Sequence, residues 1–376
     1  MCLRINRMKT IGIDVNVLTR QQRTGVELYV FSLLQAMFLV PLQDDERVVL
    51  YASAVVEDLG PLPQGWSWSV LAWPFPKGWT HGRLSFELLT SPPTVFFSPG
   101  HEVPLMTGGA RIVSTVHDLA FLRRPDLYSD SGRARQKWAL NQNLMNAQRV
   151  IAISEVTKHD LVELKEVDDA IIDVIPLARP VAGDVEESVD ILEKHQLDAR
   201  GYFVSIGRLE RKKNIAFLIQ AFSRWKEASS SSMKLVLAGG WGWGKEAILA
   251  AARNSAYTED IVFAGYITEE EKATLLTGAH GYCFPSSYEG FGMPILDAWY
   301  YRLPLIVSDI PIFREIAGDA ALYAEEASLK DWENAFTKMT EEDNTKRLLL
   351  GEEHLKEYSW EKNAQLTWKT LRASYA

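Results

Sequence analysis

The chain has 376 residues, of which 47% are hydrophobic and 24% charged, and carries a net charge of −9. This is the composition of a folded protein too long for one ordinary core, so two domains are expected and a disordered chain is excluded. The negative balance also speaks against a nucleic-acid binder, whose affinity rests on Lys and Arg at phosphates.

In chain order, the opening MCLRINRMKTIGID contains no secretory apolar region, because its apolar residues begin a strand at Ile11 and meet Asp14 at once. Strands are predicted at 10–15, 48–52, 94–98, 111–116, 150–154 and 171–177, with a helix over 25–39. The apolar tract 28–42 is interrupted by Ser32, Gln35 and Pro41 and falls short of the roughly 20 residues a bilayer span needs. It reads as a core helix. The segment WPFPKGWTHGR, residues 73–83, mixes aromatic and basic side chains. It fits a packed loop with buried tryptophans, the commoner case, or a dock for an anionic membrane surface.

Residues 178–188, ARPVAGDVEES, are polar and proline-interrupted, as a linker is. The alternation then resumes, with strands predicted at 202–207, 234–238, 261–264, 281–285, 305–308 and 321–323. A helix over 215–228 places Ile215, Leu218, Ile219, Phe222 and Trp225 on one face, with Asn214 expected as its N-cap. Thr268 and Glu271 form a capping-box pattern. Such alternation is the mark of βαβ units and parallel sheets. The expected architecture is α/β, with two Rossmann-like domains, 1–178 and 190–356, facing a central cleft that binds ligand at the carboxyl ends of the strands. A terminal helix over 357–376, with Trp360 and Trp368, is expected to pack back on the first domain.

Only Cys2 and Cys283 occur, too few for a disulfide framework, and no Cys/His spacing suits zinc. A cytoplasmic location is the simplest expectation. Four stretches could carry chemistry. In the loop after the strand ending at Gly207, Arg208 and Lys213 fall between a strand end and a helix start, where an anion is already favoured. They form either a clamp for a diphosphate or a solvated basic turn with Arg211 and Lys212. His117 and Asp118 end the apolar strand IVSTV, where a histidine is more often structural than catalytic. Gly25, in the loop before the first helix, serves a phosphate contact or an ordinary turn equally well.

The fourth stretch is SSYEGFGMPILD, residues 286–297. Gly290 and Gly292 flank Phe291, Pro294 suits a first helical turn, and the amides through Met293 point toward a ligand. Glu289 precedes the turn, and Asp297 reaches back from one turn inside the helix. No third carboxylate or histidine lies nearby and the chain has no Asp-X-Asp, so a metal site is not expected.

Taken together, RTGVELYV, STVHDLAFLRRPDLYS, RVIAISEVTKHDL, VSIGRLERKKN, LAGGWGWG, FAGYITEEEKATLL, SSYEGFGMPILDAW and YSWEKNAQ resemble, in order, the retaining nucleotide-sugar glycosyltransferases of family 4, which have the GT-B architecture. The resemblance implies that Arg208 and Lys213 bind the donor diphosphate and that Glu289 meets hydroxyls of the donor sugar. It implies that Asp297, at a position usually Glu, holds the ribose, with His117 beside the donor sugar and Gly25 near the phosphates. No metal or other cofactor is implied. The run STVHDLAFLRRPDLYS looks most like bacterial mannosyltransferases that use GDP-mannose to extend a glycan or lipid-linked acceptor. A UDP-sugar transferase of the same fold, a sugar-nucleotide epimerase and a two-lobed sugar-binding protein are the alternatives.

Overall fold

The computed structural model describes residues 8–20, 23, 25–75, 77–100, 102–180 and 190–375. Cys2, Gln22, His101 and most of the expected linker lie outside them. The chain forms two compact units: residues 1–180 with 358–376, and residues 181–357.

The first unit is built on seven parallel strands: β1 (Lys9–Asp14), β2 (Glu46–Ala52), β3 (Trp66–Val70), β4 (Val95–Ser98), β5 (Arg111–Val116), β6 (Ala147–Ala152) and β7 (Ile172–Val174). Their spatial order is β3-β2-β1-β4-β5-β6-β7. Central strands read as unbroken apolar runs because helices cover both faces of a parallel sheet, and every residue of β4, VFFS, is buried. Sequence reasoning missed β3, WSWSV. It is an edge strand with one face toward solvent, so its serines alternate with larger residues.

The segment 73–83 is packed at Trp79 alone of its two tryptophans, while Pro74, Phe75, Lys77 and Gly78 are exposed. Trp79 is buried and its Nε1 donates to Leu71 O at 2.8 Å, while Trp73 Nε1 donates to Lys77 O at 2.9 Å. The terminal helix Trp360–Ala373 belongs to this unit and packs on the helix Gly25–Phe38. Trp360 Nε1 donates to Arg179 O at 2.7 Å, and Asn363 Nδ2 donates to Pro176 O at 2.7 Å. Arg372 donates two bonds of 2.9 Å to the buried Glu46 carboxylate, a fork geometry that fixes orientation as well as charge.

The second unit has six parallel strands: β8 (Tyr202–Ile206), β9 (Lys234–Ala238), β10 (Ile261–Gly265), β11 (Gly281–Phe284), β12 (Leu305–Ser308) and β13 (Leu322–Ala324), in the order β10-β9-β8-β11-β12-β13. The helix Ile215–Ser229 buries Ile215, Leu218, Ile219, Phe222 and Trp225 against Phe203, Trp332 and Phe336. The capping box of Thr268 and Glu271 is formed with both hydrogen bonds. Asn214 occupies the N-cap position expected of it, but its side chain caps no helical amide. It sits in the left-handed region (φ 53°), and its amide instead donates to Glu326 O at 3.2 Å. Asn214 closes the preceding single turn Arg211–Lys213 in that conformation, which Asn tolerates better than most. Among the described residues, no helix is long and apolar enough to cross a membrane.

Candidate active site

In the second unit, β8 and β11 are neighbours whose onward connections run to opposite edges of the sheet. That is a topological switch point, where an open α/β sheet leaves a crevice at its carboxyl ends. Two loops rise there: residues 207–214 after β8 and residues 285–292 after β11. Ser287 N donates to Lys212 O at 2.9 Å and ties them together. Their charged side chains are Arg208, Arg211, Lys212 and Lys213 against Glu210 and Glu289, a net positive pair of loops.

Glu289 is the centre of this group. It is 8% exposed, with Lys213 Nζ donating to its Oε1 at 2.6 Å and Lys212 Nζ 4.0 Å from its Oε2. Burial pushes its carboxyl up, but the charges of Lys213 and Lys212 outweigh burial and hold it below the usual carboxylate range. A carboxylate so held is charged at neutral pH and a poor proton donor. Lys213 Nζ also stands 5.0 Å from the centre of the Phe284 ring, which limits its freedom. Arg208 differs in being open to solvent: its side chain is 65% exposed and its Nε lies 3.8 Å from Glu210 Oε2.

The helix Met293–Tyr300 begins directly after Gly292, which has φ +110°. A side chain at 292 would be strained by that backbone and would also lie 3.1 Å from the Phe313 ring. The glycine therefore lets the chain turn into the helix, at whose head Pro294 carries no N–H and Ile295 N donates to Gly292 O at 2.9 Å. Gly290 and the Phe291 ring are buried, so Phe291 can offer a ligand only its backbone. Asp297 lies one turn into the helix, with Oδ2 3.5 Å from Lys272 Nζ. Sequence reasoning singled out neither Lys212 nor Lys272, because both sit in runs, RKK and EEEK, that look like ordinary solvated faces.

Gly207, Arg208, Lys213, Glu289, Gly290, Phe291, Gly292, Met293 and Asp297 thus all belong to the second unit, on or beside these two loops. His117, Asp118 and Gly25 belong to the first. His117, at the carboxyl end of β5, is buried, with Nε2 donating to Pro99 O at 2.8 Å and its ring edge-on to Tyr29 at 5.0 Å. Asp118 accepts from Ala120 N at 3.1 Å, a local turn bond. Gly25 opens the helix Gly25–Phe38 and is exposed. At the end of β1, buried Asp14 accepts from Asn16 N at 2.9 Å, and desolvation pushes its carboxyl up to about 7. Among the described residues His159, Asp160 and Glu163 have metal-like spacing. Arg123 already bonds both of those carboxylates.

The profile "Glycosyl transferases group 1" matches residues 190–356, and "Glycosyltransferase Family 4" matches residues 12–178. The chain is 26% identical over 268 residues to O-antigen chain mannosyltransferase B of Escherichia coli, the match covering 70% of each. It is 27% identical to O-antigen chain mannosyltransferase RfbU of Salmonella typhimurium, over 62% of each chain. In fold it is similar to HepE of Anabaena, solved in complex with UDP and glucose, with a TM-score of 0.72 at 15% identity over 97% of this chain and 100% of that one. With both units matched in order, each on its own parallel sheet, the chain belongs to the family 4 glycosyltransferases of the GT-B fold.

Proposed function

We propose that this glycosyltransferase moves mannose from GDP-mannose, with retention and without a metal ion, to a hydroxyl of a glycan or lipid-linked saccharide during cell-surface polysaccharide assembly. The observation that carries the reading is the buried Glu289 carboxylate, just before the head of a helix and bracketed by Lys213 and Lys212, which lie on the loop that also carries Arg208. The mannosyl donor is supported by the O-antigen mannosyltransferases among its relatives.

The chemistry asks for stabilisation of a departing nucleoside diphosphate. Arg208 and Lys213 supply positive charge there, and the start of the helix Met293–Tyr300 adds its dipole. Charged Glu289 accepts hydroxyls of the donor sugar, and its two lysines keep it ionised for that role. Asp297 accepts the ribose hydroxyls, with Lys272 steadying it. In the first unit, Asp118, His117 and Gly25 are the residues assigned to donor contacts by the resemblance. A UDP-sugar donor is the second reading, and the fold likeness to HepE does not weigh between the two.

The enzyme is read as cytoplasmic, with contact at an anionic inner membrane surface. Trp79 is too deeply packed to make that contact. Phe86, Leu89, Leu105, Met106 and Trp138 are exposed in the first unit. The Leu105 and Met106 amides both donate to Ser85 Oγ, and Trp138 stacks edge-on with His81.

The reading is tested by thermal shift with GDP-, UDP- and ADP-sugars, where GDP-mannose should raise the melting temperature most. Arg208→Ala and Lys213→Ala should each lower transfer by about 10² to 10³-fold. Normal turnover in both variants would remove the diphosphate assignment, and a changed sugar on donor incubated alone would favour an epimerase.

A further inference from the structure

The glycine-rich run Gly239-Gly-Trp-Gly-Trp-Gly244 after β9 has no part in the site as described, yet it is stitched to the loop that carries Arg208. Strands β8 and β9 pair in parallel through Ile206 and Ala238, and the pairing does not stop there. Gly207 N donates to Ala238 O at 2.9 Å, Leu209 N to Gly240 O at 2.8 Å, Gly242 N to Leu209 O at 2.9 Å, and Arg211 N to Trp243 O at 2.8 Å. Leu209 and Trp241 form a further parallel bridge, and the Arg211 guanidinium lies over the Trp243 ring at 5.3 Å. Arg208 therefore stands on an extension of the sheet, anchored on both sides, rather than on a free loop.

Gly242 is the point at which this support meets the Arg208 side chain. A Cβ at 242 would lie 2.6 Å from Glu210 Cβ, 2.9 Å from Glu210 Oε2 and 3.2 Å from Arg208 Nε. The Gly242 backbone angle is not one reserved for glycine, so the requirement is for space and not for conformation. We infer that Gly242 is a positioning residue for Arg208: its bare backbone lets Glu210 and the guanidinium lie against the loop and holds the cation in its working place. This rests on the reading of Arg208 as a diphosphate contact.

The test is kinetic. Misplacing a charged group by about 1 Å can cost up to 10²-fold, so Gly242→Ala should lower kcat/KM for the donor by about 10- to 100-fold, while the melting temperature moves little. Adding Glu210→Gly, which removes the colliding Cβ, should restore most of that loss. Adding Glu210→Ala, which removes the same carboxylate but keeps the Cβ, should not. In an Arg208→Ala background, Gly242→Ala should cost nothing more, since the residue it positions is gone.

Full activity of Gly242→Ala, equal rescue by both Glu210 variants, or an undiminished loss in the Arg208→Ala background would each overturn the inference while leaving the diphosphate reading intact. Normal activity of Arg208→Ala alone would overturn that reading, and this inference with it.

Discussion

Replacing Lys213 by alanine tests the electrostatic core of the second unit apart from catalysis. In the native protein the Lys213 ammonium is 2.6 Å from Glu289 and that of Lys212 is 4.0 Å away. At an effective dielectric of about 20, these separations correspond to roughly 6 and 4 kcal/mol of attraction. The variant keeps only the smaller one, with the carboxylate still buried. Breaking a buried pair from one side typically costs about 3–5 kcal/mol, and the native state limits the loss by taking up a proton at Glu289.

The pH dependence gives the sign. In the wild type the Glu289 pKa is depressed, so its stabilisation is present above the ordinary carboxylate pKa of about 4.3 and is lost as pH falls through the lower native value. In the variant burial dominates and the native pKa is raised, so lowering the pH relieves the penalty. The gap between the two proteins should therefore be about 3–5 kcal/mol at pH 7.5 and shrink toward pH 4.5. Hydrogen exchange on peptides from β8 and β11 reports this unit alone. Adding Glu289→Gln to Lys213→Ala should recover most of the loss. A gap below about 1 kcal/mol, or one equal at both pH values, would refute the argument.

Asp297→Ala should raise the donor KM by about 10-fold or more, the worth of a hydrogen bond to a charged group, while Asp297→Glu leaves transfer largely intact. Lost turnover with unchanged donor binding would contradict the ribose role. Asp14, pushed up to about 7 from 3.8, holds its proton in the folded state where the unfolded chain has released it. Stability of the first unit should therefore fall by about 3 kcal/mol as pH rises from 4 to 7, and Asp14→Asn should remove that slope; identical slopes in both proteins would count against it. Trp79→Ala should destabilise the first unit by about 3–5 kcal/mol, measured by urea titration, because the ring is core and not a surface anchor.

Much of this was legible in the sequence for one physical reason: a strand buried on both faces is apolar at most positions and admits little beyond small hydroxyl residues. The runs at β4, β5, β9 and β12 therefore stood out, whereas β3 did not, because an edge strand needs only one apolar face and Pro61, Pro63 and Gly65 surround it with turn signals. Charges at strand ends made Arg208, Lys213 and Glu289 visible. Pairing between distant segments was not visible. That Lys212 shares Glu289, that Lys272 meets Asp297 and that Gly242 abuts Arg208 are tertiary facts with no local pattern. Asn214 takes the N-cap position as its sequence suggests, but its side chain turns to Glu326 O, a distant partner that no local pattern announces.

The return of residues 358–376 to the first unit makes the second unit an insertion, entered and left through one small gate. Trp360 and Arg179 are joined by a 2.7 Å hydrogen bond, so the exit and entry points nearly touch. Cutting the chain at a single site cannot separate two intact halves, since it strands the terminal helix on the wrong piece. Removing residues 181–357 and joining Pro180 to Tyr358 by a few glycines, by contrast, leaves the seven-stranded sheet with its closing helix and the Arg372–Glu46 fork. Exchanging the second unit for that of a relative at this single seam should therefore show which half sets what is recognised.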